Sequence, residues 1–147
     1  LVCAGAAWPN KCLSDETLLE YLKKETQGPY LFAWGNPAEK LRAEKLAASF
    51  PDGEVLCRLS LPQLQHVMEA SHLVVAMDSL PLHLAATTST PTVSFFGPSS
   101  AKKYAPVGAQ HTVFQGECPY GITFEKRCPR LRTCKTGACM DNTLRRL

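Results

Sequence analysis

Residues 73–96 read LVVAMDSLPLHLAATTSTPTVSFF, and this stretch decides the fold. The run LVVAM (73–77) is short and apolar enough for a strand that is covered on both faces. The run TVSFF (92–96) predicts a second strand, and the segment between them, from Pro81 to Thr88, has the length of a short helix. Two strands joined by a helical crossover predict a parallel pair in an α/β sheet.

The same alternation of strand and helix runs through most of the chain. We predict strands at 1–5, 30–34, 54–59, 73–77, 92–96 and 111–115, and helices at 14–24, 35–53, 60–70 and from residue 81. Ser14 is a helix N-cap, and Ser60 with Gln63 forms a capping box. In the second helix Leu41, with two later apolar residues, is expected to face inward. This alternation predicts a doubly wound, Rossmann-like parallel sheet.

Length and composition bound the class of protein. The chain has 147 residues, 45% hydrophobic and 20% charged, which fits one domain or one half of a two-domain enzyme. No apolar run approaches the roughly 18 residues of a membrane span, so a membrane-spanning protein is excluded. The opening LVCAG lacks the features of a signal peptide and leads directly into a strand, so we expect a fragment or an excised domain.

The chain changes character after Gly116. We therefore predict two units, a Rossmann-like domain at 1–116 and a truncated Cys-rich basic tail at 117–147 whose final helix begins near Asp141. From Cys118 to Leu147 the basic residues outnumber the two acids, Glu125 and Asp141; they are Lys126, Arg127, Arg130, Arg132, Lys135, Arg145 and Arg146. Such a tail either faces phosphates or an anionic membrane surface, or is a solvated loop. A nucleic-acid partner is not expected, because the tail has no recognition motif.

The cysteines fall into two groups. The first group is scattered, and we expect its members to be small buried hydrophobic residues: Cys3, Cys12 and Cys57. The second group lies in the tail: Cys118, Cys128, Cys134 and Cys139. Reduced thiols packing an irregular loop, a structural metal site and disulfides all remain open for the tail, and the lack of a Cys-x-x-Cys pair weakens the metal interpretation.

Four loops are expected to meet where the strands end, because parallel strands share one carboxyl edge. They are GAAWPNK (5–11), GNPAE (35–39), DSLPLH (78–83) and GPSS (97–100). They offer flexible backbone at Gly5, Gly35 and Gly97, one cation at Lys11 and carboxylates at Glu39 and Asp78. They also offer the hydroxyls of Ser79, Ser99 and Ser100. This set suits a nucleotide diphosphate.

Each of these residues also has a purely structural interpretation. The alternatives are a solvated lysine at Lys11, a capping box between Asn36 and Glu39, a helix cap formed by Asp78 and Ser79, and a satisfied core histidine at His83. The functional interpretation depends on the convergence of these residues at one edge of the sheet.

The order of these motifs resembles the C-terminal half of glycosyltransferase family 9, the ADP-heptose:lipopolysaccharide heptosyltransferases of GT-B fold, from about Val2 to Met140. GAAWPNK is similar to the family's loop after the first strand of this half, and WGNPAE (34–39) to its Gly-x-x-x-Glu stretch. Residues 60–100 resemble its signature Asp-Ser-Gly-x-x-His-Leu-Ala-Ala followed by Pro-x-Val-x-x-Phe-Gly-Pro.

The resemblance implies a donor-binding role for several of these residues. It assigns Lys11 to the phosphates of an ADP-sugar, such as ADP-heptose, and Glu39 to the ribose hydroxyls. It assigns Asp78, Ser79 and His83 to the diphosphate and sugar, with Gly35 and Gly97 also at the donor. No cofactor or metal is implied, because Lys11 and backbone N–H groups can stabilise the leaving diphosphate.

The same resemblance implies the wider setting of the reaction. The acceptor is a lipopolysaccharide-type glycan and the transfer inverts the anomeric centre. The general base lies in an N-terminal Rossmann-like half that this chain lacks, so no catalytic residue is predicted here. The implied location is cytoplasmic, with peripheral contact at the inner membrane face as an option.

Three residues depart from the family pattern. Leu80 stands where the family has glycine, and Ala6 and Ala7 replace hydroxyl residues before the lysine. These changes remove hydrogen bonds and add a Cβ atom where a phosphate is expected to approach. They support an alternative function: a non-catalytic, degenerate nucleotide-sugar-binding module whose four-cysteine tail binds a metal or a partner.

Overall fold

Six parallel strands form one sheet in the computed structural model, which describes residues 1–144. The strands are β1 (Val2–Cys3), β2 (Tyr30–Phe32), β3 (Gly53–Val55), β4 (Val74–Met77), β5 (Thr92–Phe96) and β6 (His111–Gln115). Their order across the sheet is β3-β2-β1-β4-β5-β6, and every neighbouring pair is parallel. The predicted Rossmann-like sheet is confirmed. Arg145 and Arg146, which contribute to the predicted basic tail, lie outside the described residues.

Within residues 1–144, six α-helices follow the strands or belong to the tail. They are α1 (Asp15–Glu25), α2 (Pro37–Ala47), α3 (Leu61–Glu69), α4 (Leu80–Ala85), α5 (Ala101–Tyr104) and α6 (Ala138–Asp141), and a short 3-10 helix covers Pro9–Lys11. Both predicted caps are present. The hydroxyl of Ser14 accepts a hydrogen bond from the Thr17 N–H at 3.2 Å, and the Ser60 N–H donates to Gln63 Oε1 at 2.9 Å.

The sheet is buried on both faces, which the LVVAM run predicts. Val75 and Met77 of β4 belong to the core cluster formed with α1 and α2. Val74 and Ala76 belong to the cluster on the other face, with residues of α3 and α4. Because successive side chains of a strand point to opposite faces, one short apolar strand serves two cores.

Some predicted boundaries and burial assignments are wrong. The first three strands are shorter than predicted, and β3 ends at Val55 instead of residue 59. Cys57 lies in the loop beyond it and is exposed, whereas Cys3 is buried. Leu41 is 69% exposed, because Ala43 and Leu46 face the sheet and Leu41 lies about 200° around the helix from Ala43.

The tail packs against the sheet. Met140 of α6 is 1% exposed and belongs to the core cluster that contains Phe95. The N–H of Ser14 donates to Asp141 Oδ1 at 2.9 Å, so the tail also contacts the start of α1. The tail helix that we expected near Asp141 begins at Ala138 and ends at Asp141, after Gly137 in a left-handed conformation.

In the part of the chain that the structure describes, no helix combines the length and the apolar composition that crossing a bilayer requires.

Candidate functional site

Three of the four predicted loops meet at one point of the sheet edge. β1 lies between β2 and β4, so the loops that follow these three strands are neighbours. The chain leaves β1 toward β2 on one side, while β4 lies on the other, and this reversal opens a crevice at the carboxyl ends. The crevice, called here the edge cavity, has a volume of about 350 Å³. Its lining includes Gly5, Ala6, Ala7, Lys11, Gly35, Glu39, Asp78, Ser79 and Leu80.

Lys11 and Asp78 form an ion pair in the edge cavity. Lys11 Nζ lies 2.5 Å from Asp78 Oδ2, and the two side chains are only 15% and 9% exposed. Lys11 ends the 3-10 helix after β1, and Asp78 follows β4 directly. The solvated-lysine alternative is therefore wrong. A bound phosphate would have to compete with the Asp78 carboxylate for this cation.

His83 and Ser79 do not make the contacts that a core histidine and a helix-capping side chain would make. His83 Nε2 lies 3.8 Å from Asp78 Oδ1 and its side chain is 52% exposed, so it is not a core histidine. Ser79 occupies the N-cap position of α4, but its side chain accepts no capping hydrogen bond. Its hydroxyl donates to the Met77 carbonyl at 3.2 Å instead.

Glu39 is held at the opposite side of the edge cavity. Its Oε2 accepts a hydrogen bond from the Gly35 N–H at 2.7 Å, and its own N–H donates to Asn36 Oδ1 at 3.0 Å. Asn36 is thus the predicted N-cap, but the carboxylate bonds to Gly35 and not back to Asn36, so the predicted capping box is incomplete. A Cβ atom on Gly5 would lie 2.6 Å from Glu39 Oε1, so glycine allows this close approach of the two loops.

The fourth predicted loop does not join the edge cavity. A Cβ atom on Gly97 would lie 2.6 Å from Met140 Sδ and 2.9 Å from Cys139 Sγ, so this glycine packs against the tail. Ser99 is 1% exposed and pairs with Arg127 in an isolated antiparallel bridge. β5 is one strand further from the point where the chain reverses direction, and the tail occupies the space after it.

An apolar wall completes the edge cavity, and the sequence analysis missed it. The wall is formed by Trp34, Leu59, Leu61, Leu64 and Leu80. Leu61 and Leu80 are 52% and 57% exposed, and the Trp34 indole donates to the Leu56 carbonyl at 2.8 Å, which fixes its ring. The position of Trp34 directly after β2 was a usable signal. The periodicity of α3 gave no signal for the wall, because a periodic apolar pattern predicts that these residues face the core.

The four tail cysteines surround a second cavity. Cys118, Cys128, Cys134 and Cys139 all line it, and its volume is about 320 Å³. Across residues 1–144, however, no three histidine, cysteine, aspartate or glutamate side chains are grouped closely enough to hold a metal ion. The tail thus brings its thiols to one cavity without forming a coordination cluster.

Comparison with known protein families and relatives identifies similar sequences. Residues 1–133 match the model of glycosyltransferase family 9 (heptosyltransferase). Lipopolysaccharide heptosyltransferase 1 of Pseudomonas aeruginosa is 35% identical over 95 residues, which cover 65% of this chain and 27% of that protein. The protein of the same name from Salmonella typhimurium is 36% identical over 66 residues, 45% of this chain and 21% of that protein. The matched regions therefore span about a quarter of these relatives.

Solved structures show the same fold. E. coli heptosyltransferase WaaC with ADP superposes with a TM-score of 0.70 at 26% identity, covering 80% of this chain and 37% of that one. WaaC with ADP-2-deoxy-2-fluoro heptose gives 0.67 at 27% identity, with coverages of 78% and 36%. E. coli ADP-heptose lps heptosyltransferase II gives 0.65 at 22% identity, covering 97% and 44%, and supports the fold alone.

Proposed function

This chain belongs to glycosyltransferase family 9 (heptosyltransferase), and on that premise we propose that it is the donor-binding half of an inverting glycosyltransferase that uses an ADP-sugar. The donor we favour is ADP-heptose, since WaaC is similar in fold and sequence and its structures contain ADP and an ADP-heptose analogue. The observation that carries the proposal is the convergence of Lys11, Glu39 and Asp78 in one cavity at the point where an open α/β sheet binds ligands.

The contacts of the edge cavity support a division of roles among these residues. The ammonium of Lys11 binds the diphosphate, and its contact with Asp78 loosens as the phosphate takes its place. Asp78 then accepts hydrogen bonds from sugar hydroxyls. The Gly35 N–H fixes one oxygen of Glu39, which orients the carboxylate to accept hydrogen bonds from the ribose.

The apolar wall suits the remaining part of an ADP-sugar. An adenine ring buries flat apolar surface, and Trp34 and Leu61 provide such surface at the same cavity. As the glycosidic bond to the diphosphate breaks, negative charge develops on the leaving ADP. Lys11 is the cation placed to stabilise that charge.

The rest of the reaction is assigned outside this chain. We assign the general base to an N-terminal Rossmann-like half that closes over the edge cavity. We propose a lipopolysaccharide core glycan as the acceptor, because the similar proteins are lipopolysaccharide heptosyltransferases. A cytoplasmic protein with peripheral contact at the inner membrane face is consistent with such an acceptor.

Titration with ADP tests the donor assignment directly. We expect a dissociation constant of roughly 10 μM to 1 mM, because the titrated chain spans only part of the length of its relatives and the proposed N-terminal half adds no contacts to the ligand in this titration. Calorimetry gives the affinity, and NMR shift changes at Gly35 and Asp78 locate the ligand. UDP is the matched control: tighter binding of UDP than of ADP would contradict the adenine assignment.

Replacing Leu80 by glycine should strengthen ADP binding roughly threefold. Leu80 is 57% exposed in the cavity lining, and its side chain holds a phosphate away from the backbone after β4. Glycine costs about 0.5 to 1 kcal/mol of stability in a helix, so calorimetry is performed well below the unfolding transition. Leu61→Ala, at the apolar wall, is the control and should not increase the affinity. An unchanged affinity of Leu80→Gly would show that Leu80 obstructs nothing.

A non-catalytic, degenerate nucleotide-sugar-binding module is the second candidate function. The observation that favours it is the position of Ala6, Ala7 and Leu80, all three of which line the edge cavity. In this case the site has lost phosphate contacts and the tail serves a partner or a metal. A folded protein that shows no binding heat at millimolar ADP would support this alternative over the enzyme.

A further inference from the structure

The second cavity, called here the thiol cavity, is lined by different chemical groups from those of the edge cavity. Its lining contains the four tail cysteines together with the basic side chains Arg130 and Lys135. Its volume of about 320 Å³ lies at the lower end of the range of small-molecule sites. The proposed donor chemistry uses none of these groups.

Cys134 differs chemically from the other thiols of this cavity. Thr136 Oγ1 lies 3.7 Å from its Sγ atom, within hydrogen-bond distance for sulfur. The hydrogen bond from Gly137, followed by those from Thr136, lowers the pKa of Cys134 below the usual thiol value. Burial raises the pKa of Cys139 to about 11. Cys134 is therefore the more readily ionised of these two thiols, and it is partly exposed.

We propose that Cys134 is a modification site that forms a mixed disulfide with a small anionic thiol of the glutathione class. The thiol cavity provides room beside the sulfur, and Arg130 and Lys135 provide charges that match carboxylates. The Cys134 thiolate attacks one sulfur of glutathione disulfide, and the bond between the two glutathione sulfurs breaks as the new S–S bond forms. The leaving glutathione thiolate takes up a proton, so one disulfide is exchanged for another.

The modification is connected to the edge cavity through Asn10. Asn10 Nδ2 donates to the carbonyls of Leu131 at 2.7 Å and Cys134 at 3.1 Å, and Asn10 immediately precedes Lys11. Gly137 packs so closely that a Cβ atom on it would lie 3.0 Å from Asn10 Cα. Asn10 also lines the thiol cavity, so a group that fills this cavity beside Cys134 presses on Asn10 and shifts the loop that carries Lys11. We therefore expect modification of Cys134 to weaken donor binding, and this expectation rests on the proposed function.

The reactivity of Cys134 is tested by peptide mass spectrometry of the reduced full chain during incubation with glutathione disulfide. We expect Cys134 to be modified at least about tenfold faster than Cys57, which is exposed and outside the cavity, or than the other tail cysteines. Thr136→Val removes one donor to the sulfur and should slow the reaction roughly threefold. Faster modification of Cys57 would overturn the proposal, as would one equivalent of bound zinc that protects the tail thiols.

The connection to the donor site is tested by calorimetry with ADP. We expect the glutathione-modified protein to bind ADP roughly fivefold more weakly than the reduced protein. Cys134→Ser should bind ADP equally well before and after exposure to glutathione disulfide. Equal affinities of the modified and reduced proteins would overturn the connection. Absence of ADP binding by the reduced protein would instead contradict the proposed function, while the reactivity of Cys134 is measured independently.

Discussion

Replacing Lys11 by methionine should weaken ADP binding roughly 10- to 100-fold, because a hydrogen bond from a charged donor to phosphate is lost. The same change leaves the Asp78 carboxylate, whose side chain is 9% exposed, without the Lys11 cation. An unpaired buried charge should lower the free energy of unfolding by about 3 kcal/mol, at the low end of the range because the cavity admits water. Calorimetry and urea unfolding measure the two effects.

A double variant separates the structural role of Lys11 from its binding role. Adding Asp78→Asn to Lys11→Met removes the uncompensated charge, so most of the lost stability should return. The affinity for ADP should stay low, since the cation is still absent. If Lys11→Met alone binds ADP as tightly as the unchanged chain, the Lys11–Asp78 pair has a structural role only.

Replacing Met140 by alanine should lower the free energy of unfolding by about 3 kcal/mol, within the range for large-to-small changes in a core. Met140 is 1% exposed and belongs to the core cluster that includes Phe95 and Val93, although it comes from the tail. A cavity left by its side chain therefore opens beside the sheet. Urea unfolding at an unchanged slope measures the loss.

Val107→Ala is the matched control for this prediction. Val107 is 97% exposed, so shortening its side chain should change stability by no more than about 0.5 kcal/mol. A cost for Met140→Ala as small as that of the control would mean that the tail is energetically independent of the sheet. The predicted units at 1–116 and 117–147 would then be independent of each other in stability.

Local patterns were sufficient to predict the six strands and the longer helices, but not α5 or the short 3-10 helix at Pro9–Lys11. The runs LVVAM and TVSFF, with a helical segment between them, correspond to β4, α4 and β5. The caps at Ser14 and Ser60 were also predictable, because an N-cap depends on residues within one helical turn. The convergence of Lys11, Glu39 and Asp78 followed from the rule that parallel strands end at one edge. The lengths of β1, β2 and β3 were overestimated, because an apolar run does not mark the residue at which pairing with a neighbouring strand ends.

Strand order and packing decided the rest of the site. The sequence offered four loops of similar character. Those after β1, β2 and β4 meet at the point where the chain reverses direction, whereas Gly97, after β5, packs against Met140 and Cys139 of the tail. The pairing of Lys11 with Asp78, the exposed leucines of the apolar wall and the burial of Met140 also join residues distant in the chain. Periodicity reports which face of an element is apolar, but only the tertiary structure determines what lies against that face.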